Sequence, residues 1–180
     1  MKYQIKNPEL HRIALTAIIH KKKKYLIIQR SPNKNAFPGK WTVPGGGFEV
    51  EDYIKTPKTT PDSWYFAVTN SLKREIQEEV GLRVGELRYL LDLTFIRPDS
   101  TPVVILSYFC NWKSGKVVLN EENTNFAWVS YNEAKNYDLI EGILEEIKMV
   151  DQIIRGIKSN KEKIITNIKR KYNLNPRKSS

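Results

Sequence analysis

Residues 74–82, Arg-Glu-Ile-Gln-Glu-Glu-Val-Gly-Leu, constrain this chain more than any other stretch. Val68, Leu72, Ile76 and Val80 recur every four positions, which predicts a helix with a core-facing stripe. On that helix Glu75, Glu78 and Glu79 fall at i, i+3 and i+4 and share the face away from the stripe. Carboxylates so close repel one another unless a cation joins them. A divalent metal such as Mg²⁺ suits them, because it takes oxygen ligands and keeps some of its water. The plainer alternative is a solvated face on which Arg74 and Glu78 form an i, i+4 pair. Gly81 ends the helix where a left-handed residue is wanted.

The upstream sequence separates these readings. Leu10–His20 and Tyr25–Arg30 are β-branched and apolar, with the polar turn Lys21–Lys24 between them, and predict a hairpin. Ser31–Lys40 is loop chemistry, and Trp41-Thr42-Val43 is a short strand stopped by Pro44 and three glycines. Glycines just past a strand let the backbone turn sharply and leave its peptide groups open to a ligand or metal. Asp62 or Ser63 can then cap the helix that runs to Val80. Downstream, Arg88–Arg97 and Val103–Trp112 read as strands joined by the turn Pro98-Asp99-Ser100-Thr101. Lys116–Leu119 and Phe126–Tyr131 read as shorter strands, and 133–157 as mostly helical, with Leu139, Ile143, Ile147, Val150, Ile154 and Ile157 as its stripe. The expected class is α/β, a mixed β-sheet sandwiched by helices.

The segment Gly46–Leu82 resembles a Nudix box, Gly-x5-Glu-x7-Arg-Glu-U-x-Glu-Glu-x-Gly-U with U aliphatic. Arg74, Glu75, Ile76, Glu78, Glu79, Gly81 and Leu82 match every fixed position of its second half, and Lys40–Gly47 resembles the approach to the box. Three features depart from the pattern. Asp52 stands where it asks for glutamate, and Glu51 where a glycine often precedes it. Twenty-one residues separate Asp52 from Arg74 where the pattern has seven, an insertion of 14. The insert, roughly 53–65, reads as a surface loop plus an extra helical turn, serving either as a passive insertion or as a substrate-covering lid.

The resemblance implies the α/β/α sandwich of Nudix (MutT-like) hydrolases. It implies metal ligation by Glu75, Glu78 and Glu79 with a backbone carbonyl near Gly46, and a structural Arg74 holding carboxylates in place. Glu49 matches a glutamate near the metals in many relatives. A further family glutamate, six positions before Trp128, falls on Glu122, with Glu121 as its rival. The implied activity is Mg²⁺-dependent hydrolysis of a nucleoside diphosphate derivative, of nucleoside triphosphate or nucleotide-sugar and ADP-ribose type, with Mn²⁺ as a substitute metal. Glu78, Glu79, Glu49 and Glu122 all remain open as the base. Pro98 stands close to where ADP-ribose-cleaving relatives carry a proline, although a turn favours proline anyway. Phe37, Tyr89, Phe95 and Tyr108 could stack a base or pack in the core, and Arg30 could meet a phosphate or solvent. His11 and His20 show no ligand spacing.

Two other functions stay in view. One is a nucleotide-sensing module without catalysis. The other is an enzyme acting on RNA 5′ ends. Eight basic residues and one acid lie in 158–180, which carries +7 of the net +10. The domain is therefore read as 1–158 and the tail as 159–180, with a short amphipathic helix over Lys161–Tyr172. That tail is either a frayed end or an arm toward RNA, anionic lipid or another subunit, a homodimer included. Cys110 is alone and predicted to be buried. The absence of an 18-residue apolar run or a signal-peptide core predicts a cytoplasmic protein with no membrane span.

Overall fold

The computed structural model describes residues 7–157 and 161–172. Eight strands form one mixed sheet: β1 (Arg12–Lys21), β2 (Lys24–Arg30), β3 (Trp41–Thr42), β4 (Gly45–Phe48), β5 (Arg83–Val84), β6 (Arg88–Ile96), β7 (Pro102–Ser114) and β8 (Asn123–Val129). Among the described residues four α-helices accompany them: α1 (Ala67–Val80), α2 (Tyr131–Ala134), α3 (Ile143–Ile154) and α4 (Lys161–Lys171). β1 lies at the centre. Along one edge it runs parallel to β7, from Arg12 opposite Val103 to His20 opposite Asn111. Two strands share its other edge. Its far end pairs with β2 through His20 and Tyr25, and its first half pairs antiparallel with β4, from Ile13 opposite Phe48 to Thr16 opposite Gly45. β8 extends the sheet beyond β2, β3 pairs with Ile28 and Gln29 on the opposite edge of β2, and β5 and β6 pair with β7.

Strand periodicity divides the core into two layers. Leu15, Ala17, Ile19, Leu26 and Ile28 face α1 and meet Leu72, Ile76 and Val80. Ile18, Tyr25 and Ile27 face the other way and meet Ala134, Ile143, Ile147 and Val150 from α2 and α3. The α/β sandwich expected from the residue pattern is the fold observed. Cys110 belongs to the α1 layer, where burial pushes its thiol up to about 12.

Four local expectations are corrected. First, the glycine run is itself a strand: β4 replaces β2 along half of β1, with the Ala17 N–H donating to the Pro44 carbonyl at 2.9 Å. Second, α1 starts at Ala67 instead of Asp62 or Ser63, so the insert supplies no extra helical turn. The Ser63 carbonyl is already taken by the N–H groups of Thr59 and Thr60, and the residue before the helix, Phe66, is left-handed at φ 60°. A non-glycine residue held there costs about 1–2 kcal/mol. Third, Lys116–Leu119 is not a strand. The Val118 and Asn120 N–H groups donate to the carbonyls of Val80 and Glu79, satisfying acceptors that the end of α1 leaves open. Fourth, 133–157 is not one helix. Trp41 donates to the Asp138 carbonyl and accepts from the Ile140 N–H, which holds the chain extended until α3 starts after Gly142 at φ 93°. Leu139 therefore packs from outside the helix, and Ile157 is exposed.

In the described part of the tail, α4 occupies nearly the expected span, and Lys171 Nζ pairs with Glu145 Oε1 of α3 at 2.5 Å. The rest of that reading, 159–160 and 173–180, lies outside the described residues. Among the described residues no helix is long and apolar enough to cross a membrane.

Because α1 is held to the sheet by its apolar stripe, Ile76→Ala is expected to lower unfolding free energy by about 2–5 kcal/mol. The exposed Val118→Ala should change it by less than about 0.5 kcal/mol. Urea unfolding of the two variants checks the difference.

Candidate active site

Packing of Leu72, Ile76 and Val80 turns the acidic side of α1 toward β4, and the helix meets the glycine strand there. The contact is close. A Cβ on Gly46 would lie 2.4 Å from the Glu75 carboxylate, so any other residue there would push that carboxylate from its place. The Gly45 N–H donates to Glu79 Oε2 at 2.8 Å, and Asn123 Nδ2 donates to Glu79 Oε1 at 3.5 Å. Glu79 is only 7% exposed. Burial pushes its carboxyl up to about 7; the Gly45 and Asn123 bonds pull it down, while the charges of Glu75 and Glu122 raise it. Glu75 is also raised above the ordinary glutamate value, first by burial and despite its contact with Arg74.

Arg74 is the hub on the outer side. Its guanidinium donates to Asp52 Oδ1 at 2.5 Å, Glu75 Oε1 at 2.6 Å and Glu78 Oε2 at 2.5 Å. Asp52, at the position where the box pattern has a glutamate, thus lies with its carboxylate on Arg74. Its side chain is almost fully covered and also accepts from the Glu49 N–H at 2.8 Å. Burial pushes Asp52 up, but the Glu49 N–H and the Arg74 guanidinium more than offset this and leave it below the usual carboxylate range. An open cavity of about 360 Å³ lies over this network, lined by Gly47, Glu49, Glu51, Asp52, Arg74 and Glu75.

The later loop arrives by way of the α1 cap. Because Asn120 bonds to the Glu79 carbonyl, residues 120–123 lie beside the helix and Glu122 comes close enough for its charge to act on Glu79. Glu122 itself pairs with Lys34, and Glu49 with Arg12 at 3.6 Å. The sequence-predicted set Gly46, Glu49, Arg74, Glu75, Glu78, Glu79 and Glu122 therefore surrounds one junction of β4, α1 and the β8 approach. As the side chains stand, no group of three His, Cys, Asp or Glu residues among the described ones is gathered closely enough to hold a metal, because Arg74 draws Glu75 and Glu78 toward itself.

Three contributors lack a signal in the residue pattern: Asn123, Arg12 and the Gly45 N–H. Asn123 lies one position past Glu122, but nothing in the sequence marks it as buried against Glu79. Arg12 reaches Gly47 and Glu49 only because β1 and β4 pair. Other candidates lie elsewhere: Arg30 Nε donates to the Ala36 carbonyl, Tyr89 bonds to Asp92, and Tyr108 packs against the α1-side core.

A NUDIX domain model matches residues 10–150, spanning β1 to α3 and every residue of this junction. The chain belongs to the Nudix hydrolase superfamily. It is 30% identical over 146 residues to the nucleoside triphosphatase NudI of Klebsiella pneumoniae subsp. pneumoniae, which covers 72% of this chain and 89% of that protein. A MutT Nudix hydrolase of Burkholderia pseudomallei superposes with a TM-score of 0.63 at 21% identity, over 79% of this chain and 99% of that one. The Nudix domain of Shewanella oneidensis NrtR, solved with ADP ribose, gives 0.63 at 16% identity, over 82% and 93%. The chain is a Nudix pyrophosphohydrolase by this membership.

The buried Glu79 fixes a pH dependence. Its folded-state pKa, about 7, lies above that of an unfolded glutamate, so the folded state binds the proton more tightly. Without a divalent ion, stability from this group is fully present below about pH 4.5 and is lost as pH rises to about 7, by roughly 3 kcal/mol. Melting curves in a chelator should therefore show Glu79→Gln gaining on the wild type between pH 5 and pH 8. Parallel curves for the two proteins would contradict the burial argument.

Proposed function

We propose that this Nudix hydrolase cleaves the diphosphate linkage of a nucleoside triphosphate, or of a related nucleotide of ADP-ribose type, with a divalent metal, Mg²⁺ first. The supporting observation is the Glu79 carboxylate, buried at the β4–α1 contact beside Glu75 and within the field of Glu122. Its raised pKa expresses an unmet demand for positive charge, and a divalent ion meets that demand better than a proton above neutral pH. Gly46 fits the same reading, since its missing side chain leaves room for the Glu75 carboxylate against β4.

Glu75, Glu78 and Glu79, a carbonyl near Gly46, and Glu122 would hold the metal. Once bound, it neutralises diphosphate charge and lowers the pKa of an attacking water. The protein's own residues do the rest. Arg74 keeps Glu75 and Glu78 aligned and exchanges part of its hold on them when they turn to a ligand. Asp52, anchored by the Glu49 N–H, retains Arg74 through that exchange. Water attacks one phosphorus in line, the anhydride P–O bond breaks on the far side, and a carboxylate takes the water proton. Glu78, Glu79, Glu49 and Glu122 are the candidates for that proton.

The K. pneumoniae relative's name, nucleoside triphosphatase, favours nucleoside triphosphates as the first substrates to try. The test is a panel of nucleoside triphosphates, ADP-ribose and dinucleotide polyphosphates with Mg²⁺, scored for the phosphates released. At least one should be cleaved, and Glu79→Gln should lower kcat about 100-fold or more. A panel with no cleavage, or a fully active Glu79→Gln, would sink the reading. A nucleotide-sensing module would bind a panel member without cleaving it.

A further inference from the structure

The insert is a folded unit built around an aromatic face. Tyr53 O accepts from both the backbone N–H and the hydroxyl of Thr56 at 2.8 Å, and Trp64 Nε1 donates to the Thr56 carbonyl at 3.0 Å. The Tyr65 N–H donates to Thr59 Oγ1 at 3.1 Å. These bonds hold a chain of rings: Phe48 stacks on Tyr53 with centroids 5.6 Å apart, and Tyr53 lies 5.2 Å from Trp64. Phe48, Tyr53, Trp64, Phe66, Ala67 and Val68 line a cavity of about 360 Å³, open to solvent.

Phe66 makes this face unusual. The residue is 77% exposed, and its backbone is left-handed at φ 60°. A residue there neither buries apolar surface nor rests in a comfortable conformation, and glycine would relieve the backbone and cap the helix as well. Strain kept at a position whose side chain is largely exposed points to a ligand. The place indicates which one. The Val50–Tyr53 turn is a common wall: Asp52 faces the cavity over Arg74 and Glu75, and Tyr53 faces the aromatic one. Ala67 and Arg74 are seven residues apart on α1, about 10 Å along its axis. That separation is comparable with the reach of a ribose phosphate.

We propose that Phe66, with Tyr53 and Trp64, forms a shelf on which the aromatic base of the nucleotide stacks while its diphosphate lies at Arg74 and Glu75. The proposal rests on the diphosphate reading of the neighbouring site and adds to it a recognition element carried by the insert. Stacking on ring faces tolerates different bases, so the shelf favours nucleosides as a class over bare phosphates.

Calorimetric titration with Mg²⁺ tests the shelf, using the α,β-methylene diphosphates of adenosine, guanosine, cytidine and uridine against methylenediphosphonate. All five carry the same uncleavable P–C–P group, so the affinity ratio isolates the base. In the wild type at least one nucleoside compound should bind about tenfold or more tighter than methylenediphosphonate. Phe66→Gly should lower that ratio about 5- to 10-fold with no fall in melting temperature, and Phe66→Trp should restore it. An unchanged ratio in Phe66→Gly, or no wild-type preference for nucleosides, overturns the shelf. If methylenediphosphonate itself fails to bind, the diphosphate reading falls, and the shelf with it. If Phe66→Gly abolishes self-association in sedimentation while leaving the ratio intact, the ring covers a second copy of the chain and the proposal is wrong.

Discussion

The contact between the Glu79 carboxylate and the Gly45 N–H joins the two halves of the molecule. On one side stands α1, fixed to the sheet by Leu72, Ile76 and Val80. On the other stands β4, which occupies the edge of β1 that β2 leaves free. The clamp requires a charged group with little access to solvent, which is costly without partners. Two hydrogen bonds meet part of that cost, and the raised pKa records the rest. A site that must hold a cation benefits from this incomplete satisfaction, because a fully satisfied carboxylate would have less to gain from binding one.

Arg74 and Asp52 form a second, outer arrangement with a different balance. There the carboxylates are paired with a guanidinium, and Asp52 falls below its usual range while Glu79 rises above it. Both belong to one sequence motif and lie on adjoining elements. What separates them is the partner each finds. Asp52 meets a permanent positive charge, whereas Glu79 meets neutral donors and neighbouring negative charge.

The residues on α1 were legible because their chemistry follows from helical spacing alone. Glu75, Glu78, Glu79 and the apolar stripe needed nothing but a period of 3.6 residues. Illegible features arise from contacts distant in sequence. Arg12 meets Glu49 through strand pairing, and Asn123 meets Glu79 because residues 118–120 bond to the end of α1. The same bonds explain why Lys116–Leu119, apolar enough for a strand, became a helix cap instead. Trp41 likewise took the backbone of residues 138–140 into pairing and interrupted a helix that local preference favours. Phe66 shows the limit of capping rules, since Asp62 and Ser63 are better caps by type, yet Ser63 is engaged in the turn before it and α1 starts only after Phe66.

The parallel pairing of β1 with β7 has a kinetic side. Thr16 and Ser107, whose hydroxyls lie 2.8 Å apart across it, are 91 residues apart in the chain. The central ladder of the sheet therefore cannot close until β7, with α1 and its insert before it in the chain, has been synthesised. Non-local pairing of this kind slows folding. The penalty for closing a loop, however, grows only with the logarithm of its length. Fourteen extra residues before α1 add little to a closure already so long. The span that delays folding is the same span in which new recognition surfaces can be inserted at small kinetic cost.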